Sequence, residues 1–193
     1  LIKSFDTQDE LNPKIWELPN ERFMGDPEGQ SYKMRDEVRE RLLEIAYQFI
    51  DYLGIDIVVT DIVLTGSLAN YSWSKYSDFD IHIITNFQQY PPEQLELYKE
   101  LFMLKKALFN KNYDIKLFGY EVELYVENES ESHFSSGVYS LLFNEWAMKP
   151  KKEKISIDKP TIERKAKQWM GIIDGVLENI EGEDIEDAKD LIE

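Results

Sequence analysis

Asp78 and Asp80 stand one residue apart at the head of an apolar run, Ile81 to Ile84. In an extended strand alternate side chains share a face, so the two carboxylates point the same way. Each raises the pKa of the other, and each is easier to keep ionised beside a cation. Oxygen-only donors favour a hard divalent ion, magnesium or manganese. A second feature begins twelve residues before Asp78, where Gly66-Ser67 closes another apolar run, Ile62-Val63-Leu64. Glycine there lets the backbone approach a ligand, and the neighbouring amides with the Ser67 hydroxyl suit phosphate oxygens. Residues 61–84 thus pair a phosphate grip with a metal grip. The plain alternative is a polar connection that carries a chance acidic pair.

The elements that must hold these residues are set by periodicity. Residues 34–53 read as an amphipathic helix, with Val38, Leu42, Ile45, Ala46, Phe49, Ile50 and Leu53 at helical spacing and Gly54 as its stop. Ile62 to Thr65 is the first core strand, approached by residues 55–59. Ser67 to Trp73 reads as a short helix. Asp78 to Thr85 is the second strand, with Phe79, Ile81 and Ile83 on one face and Asp78, Asp80 and His82 on the other. His82 is a late ligand or proton acceptor in one reading and a hydrogen-bonded structural histidine in the other. Between the two motif halves, Tyr71 or Trp73 could stack on a base and Lys75 could meet a phosphate. Packing and surface roles compete with each.

Pro91-Pro92 opens a helix over 92–110. Its stripe of Leu97, Leu101, Leu104 and Leu108, broadened by Tyr98 and Phe102, is expected to face the core. Lys105, Lys106 and Lys111 near its end either touch phosphate or complement the helix dipole. Residues 113–127 hold the next strands, with Ile115, Leu117, Val122, Leu124 and Val126 alternating with polar positions. Glu121 and Glu123 share a face there. Gly137 to Leu142 is a further strand, and Trp146 anchors the segment after it.

Three segments result. Residues 1–33 form an irregular arm rich in turn signals, pinned by Trp16, Phe23 and Tyr32. Residues 34–150 form the core. Residues 151–193 form a helical extension: a long helix from 160 to 180, with Ile162, Ala166, Trp169, Met170, Ile173, Leu177 and Ile180 on one stripe, then the start of another. The chain stops in mid-pattern without a cap, as a trimmed or continuing chain would.

Composition narrows the partners. Asp and Glu number 38 against 22 Lys and Arg, a formal charge of −16. No basic stripe is visible, which argues against gripping a long nucleic acid. There is no cysteine, so disulfides and thiolate metal sites are excluded. Two histidines, His82 and His133, suit a zinc centre poorly. No apolar run approaches the ~20 residues that cross a bilayer, and no stretch reads as a signal peptide. A cytoplasmic protein without a membrane partner is expected.

The pattern Gly66-Ser67, then Ser77-Asp78-x-Asp80 at the start of a strand, resembles the nucleotidyltransferase superfamily that includes DNA polymerase beta. The resemblance covers residues 35–127. It implies an α/β fold: a mixed, twisted sheet packed by helices, here with a C-terminal helical extension. It implies nucleotide contacts from Gly66, Ser67 and Ser77, with Lys75 and Tyr71 as further candidates. It also implies two magnesium or manganese ions on Asp78, Asp80 and a third carboxylate from a later strand, Glu123 or alternatively Glu121. The same three acids would then be catalytic. The implied reaction joins the NMP of an NTP to an acceptor hydroxyl and releases pyrophosphate. The acceptor is open: a protein, an RNA end, another nucleotide or a small molecule. The alternative is a non-catalytic nucleotide-sensing or partner-binding module on the same fold. The stretches LNPKIW (11–16), TGSLANY (65–71) and GYEVELYV (119–126) also resemble nucleotidyltransferase-like proteins of tailed bacteriophages, which would place the chain in a host cytoplasm.

Overall fold

A computed structural model describes residues 7–18, 32–131, 135–152 and 159–181. The chain divides into two compact units, Leu1–Lys152 and Glu153–Glu193.

The first unit opens with a short ribbon. Strand β1 (Trp16–Glu17) pairs antiparallel with β2 (Lys33–Met34). The arm expected to be irregular therefore carries a strand. Trp16 sets it: the indole is buried, stacks on Trp146 at 4.5 Å, and donates from Nε1 to the Leu68 carbonyl at 2.8 Å. That bond ties the arm to the turn after Gly66. Tyr32 is half-buried, and its carbonyl accepts from Trp146 Nε1 at 2.6 Å. Phe23 lies outside the described residues.

Helix α1 (Asp36–Leu53) buries Val38, Leu42, Ile45, Ala46, Phe49 and Leu53, the face its spacing predicts. It ends on Gly54 at φ 68°, a left-handed cap that costs glycine nothing. Strand β3 (Val59–Thr65) starts three residues before the expected one. A single 3₁₀ turn, Ser67–Ala69, stands where a helix to Trp73 was expected. Strand β4 (Phe79–Thr85) buries Phe79, Ile81 and Ile83 and leaves the intervening Asp80 and His82 half-buried.

Helix α2 (Leu95–Asn112) is rotated from expectation. Leu97, Leu104 and Leu108 are exposed, Leu97 by 65%, and Leu101 and Tyr98 are half-buried, while Phe102, which the expected stripe included at its edge, is buried together with Phe109. The helix is apolar on two sides, so periodicity alone does not choose between them. The aromatic side fills more space: Phe109 meets Phe49 edge-on at 5.0 Å, and Phe102 stacks on Phe87 at 5.8 Å.

Strands β5 (Lys116–Leu117), β6 (Tyr120–Asn128), β7 (Val138–Ser140) and β8 (Glu145–Met148) complete the sheet. Strand β8, which carries Trp146, is not foreseen from the sequence, where Trp146 reads only as an anchor. The six strands run in the order β5-β6-β4-β3-β7-β8. Only β4 and β6 are parallel, joined across α2; the other pairs are antiparallel. A mixed sheet results, with a core formed by α1, α2 and the apolar face of β3, β4 and β6.

In the second unit a single helix, α3 (Lys159–Glu181), is described. Among the described residues no helix is long and apolar enough to cross a membrane.

Candidate active site

The site forms where β3 and β4 meet β6. Antiparallel pairing sets Thr65 against Asp80, and parallel pairing sets Asp80 against Glu123. Asp78 immediately precedes β4 and shares the face of Asp80. One carboxylate oxygen from each of Asp78, Asp80 and Glu123 lies within 4.8 Å of the other two, and all three residues are half-buried. Glu121 takes a different course: its side chain is 62% exposed and lies 3.5 Å from Lys116 Nζ.

The electrostatics arise from crowding. Partial burial pushes the Asp80 carboxyl up to about 6, reinforced by the charges of Asp78 and Glu123, while Lys106 pulls the other way. Burial also raises Asp78, opposed by a backbone hydrogen bond and reinforced by Glu123 and Glu121. Three hard oxygen donors that repel one another fit a divalent cation such as magnesium or manganese.

Gly66 makes the cluster possible. Its backbone lies at φ 72°, ψ −161°, a region essentially restricted to glycine. A Cβ built there would fall 1.8 Å from Asp80 Oδ2. The glycine therefore clears space for the Asp80 side chain. After it the chain is tied down locally. Ser67 Oγ donates to Ser77 Oγ at 2.7 Å, the Ser74 amide donates to Ser77 Oγ at 2.9 Å, and Asn70 Nδ2 donates to the Gly66 carbonyl at 2.8 Å. Ser67 and Ser77 are thus joined beside the acidic pair.

Two nucleotide-binding candidates make their contacts elsewhere. Tyr71 packs against the core, and its carbonyl accepts from the Gln8 amide at 2.7 Å. Lys75 is exposed, with its Nζ over the Tyr76 ring at 4.7 Å. Of the three lysines near the end of α2, Lys105 reaches the Tyr52 carbonyl at 3.3 Å, whereas Lys106 sits 3.7 Å above the Tyr125 ring.

Tyr125 is not among the candidates that the sequence suggests. Its hydroxyl donates to Glu123 Oε2. Burial, that bond and the surrounding carboxylates all raise the phenol pKa, so it stays a donor. His82 stacks on the Tyr125 ring at 4.8 Å, and its Nδ1 lies 2.5 Å from Glu127 Oε2. Lys106 and His82 thus both lie against the ring of Tyr125, whose hydroxyl holds Glu123. The available signal was the period of the strand, since Tyr125 lies two residues beyond Glu123 and shares its face.

A comparison with curated proteins and a comparison with solved structures returned no match. A family model described as a nucleotidyltransferase domain matches residues 43–142, more than half of the 193-residue chain. The matched span runs from within α1 to just past β7 and takes in Gly66, Asp78, Asp80 and Glu123. On that match, and with a fold of the kind the family implies, the chain belongs to the nucleotidyltransferase domain family.

Proposed function

We propose that this chain transfers the NMP of an NTP to an acceptor hydroxyl. The observation that carries the reading is the convergence of Asp78, Asp80 and Glu123 next to the Gly66-Ser67 turn. Asp78, Asp80 and Glu123 would hold magnesium or manganese, two ions in a site of this type, and the bound metal would supply charge neutralisation and make the acceptor hydroxyl easier to deprotonate. The protein's own work is positioning. Gly66 and Ser67 hold the phosphates through backbone amides, and the Ser67 hydroxyl joins them by turning its proton from Ser77 Oγ to a phosphate oxygen. Lys106 adds a positive charge on the α2 side. Tyr125 orients Glu123. The acceptor oxygen forms a bond to the α-phosphorus, the bond from that phosphorus to the bridging oxygen breaks, and pyrophosphate carries the electron pair away. The proton of the acceptor passes to solvent.

Residues 34–150 act as the transferase core and 151–193 as an appended helical segment. The acidic net charge supports a single nucleotide and a compact acceptor over a long polymer. The cytoplasm, a host's if the gene is a phage's, supplies both NTP and magnesium.

The test is incubation of the full chain with each α-labelled NTP, magnesium or manganese, and cell extract as acceptor. Label transfer with pyrophosphate release is expected. Release no faster than from Asp78→Asn/Asp80→Asn, with no label transferred, sinks the proposal.

A further inference from the structure

Residues 8–16 lie outside the span that the family model matches, yet they are fastened to both parts of the candidate site. Trp16 Nε1 donates to the Leu68 carbonyl at 2.8 Å, inside the turn that follows Gly66. Asn12 Nδ2 donates to the Tyr120 hydroxyl at 2.8 Å. The Tyr120 ring meets Phe79 edge-on at 6.1 Å, and Phe79 stands between Asp78 and Asp80. Earlier in the arm, the Gln8 amide donates to the Tyr71 carbonyl at 2.7 Å. Trp73 Nε1 donates in return to the Glu10 carbonyl at 2.9 Å. Each bond joins residues 52 or more positions apart, so none follows from local turn geometry.

The turn has little to hold it from within. Ser67–Ala69 is a single 3₁₀ turn. Its backbone bonds, Ala69 amide to Gly66 carbonyl and Asn70 amide to Ser67 carbonyl, are both 3.2 Å long. Hydrogen-bond geometry is poor in such turns. The Trp16 bond is shorter than either, and it is buried. It also acts at a telling place. The Leu68 carbonyl and the Ala69 amide belong to one peptide unit, which is planar and stiff. Fixing that carbonyl therefore fixes the amide that closes the turn on Gly66. The donor is itself immobilised by the core: Trp16 is 1% exposed, stacks on Trp146 at 4.5 Å and meets Tyr139 edge-on at 5.0 Å.

We propose that Trp16 is a positioning residue, a core-fixed donor that holds the Gly66-Ser67 turn in its phosphate-gripping geometry through the Leu68–Ala69 peptide. What the turn grips rests on the transferase reading; that the turn is held from Trp16 does not.

The experiment is amide hydrogen exchange of the full chain, read at Ala69 and Asn70, with ligand binding measured beside it. Trp16→Phe removes the N–H and keeps an aromatic ring in the core. Leu53→Ala, in α1, is the comparison for plain loss of stability. Exchange at Ala69 and Asn70 should run about tenfold faster in Trp16→Phe than in Leu53→Ala, the effect of one lost buried hydrogen bond. The concentration of a non-hydrolysable NTP that half-saturates the manganese-loaded chain should rise by a similar factor. Half-saturation by manganese alone should stay where it is, because the three acids keep their strands. Equal exchange at Ala69 and Asn70 in the two variants would make Trp16 an ordinary core residue and overturn the proposal. So would a nucleotide affinity that Trp16→Phe leaves unchanged. Faster exchange in a chain that binds no nucleotide would uphold the held turn and sink the transferase reading instead. If Trp16→Phe does not fold, Trp73→Phe decides, since it removes the other indole bond between arm and loop at an exposed position. It should shift exchange the same way by a smaller factor, and unchanged exchange there overturns the proposal.

Discussion

A side chain at Gly66 and the carboxylate of Asp80 cannot occupy this site together: a Cβ at residue 66 would lie 1.8 Å from Asp80 Oδ2. The two residues sit at the facing ends of paired strands, with Thr65 opposite Asp80. Strand pairing therefore couples the Gly66-Ser67 turn to Asp80.

Gly66→Ala should lower stability by about 1–3 kcal/mol from the backbone conformation alone, with displacement of Asp80 added. Thermal melts with and without manganese check this. The variant should melt earlier and show no rise with manganese. Combining it with Asp80→Ala should recover part of the midpoint and none of the manganese response. An unaltered manganese response in Gly66→Ala would contradict the coupling.

The raised Asp80 pKa sets a pH dependence with a definite sign. Its carboxyl titrates near 6 in the folded chain against 3.8 in its ordinary state. The folded form therefore holds a proton that the unfolded form has released, and stability falls as pH rises from about 4 through about 6. Without metal, Asp80→Asn should be more stable than the native chain at about pH 8, by on the order of 1 kcal/mol after allowance for solvent screening. The difference should shrink toward about pH 4. Manganese reverses the order, because it binds the ionised carboxylate, and the native chain's response should fade below about pH 6. Urea titrations across this range measure both trends.

Tyr125→Phe removes the donor to Glu123 while keeping the ring that Lys106 and His82 both contact. The manganese concentration for half-maximal stabilisation should rise about tenfold, as for other groups that orient a metal ligand. The metal-free midpoint should barely move. A large loss of metal-free stability with unchanged manganese affinity would assign Tyr125 to packing instead.

The orientation of α2 is open to a paired test. Phe102 is buried, so Phe102→Ala should cost about 3–5 kcal/mol. Leu104 is exposed, so Leu104→Ala should stay within about 0.5 kcal/mol. Equal losses would mean that both sides of the helix are covered.

Much of this molecule was legible along the chain. α1 is dictated by its apolar spacing and Gly54. The Gly66-Ser67 turn and the Asp78–Asp80 pair are local motifs, and strand period alone puts the two aspartates on one side. Periodicity could not decide the face of α2, because the leucines and the aromatic residues both recur at helical intervals. It could not find β8 either, since four residues with one tryptophan carry little signal of their own.

Two matters required the folded chain. Strand alternation makes Glu121 and Glu123 equivalent. The parallel register between β4 and β6 puts Glu123 opposite Asp80, while the side chain of Glu121 lies beside Lys116. Register is a long-range property, set by how the α2 crossover returns the chain to the sheet, and no local pattern encodes it. The contacts of Lys106 and His82 with Tyr125 have the same origin, because they join a helix to two strands. Local residue order was enough to name the types that could hold phosphate and metal. Which carboxylate completes the cluster, and which neighbours orient it, depends on contacts that exist only after distant segments pair.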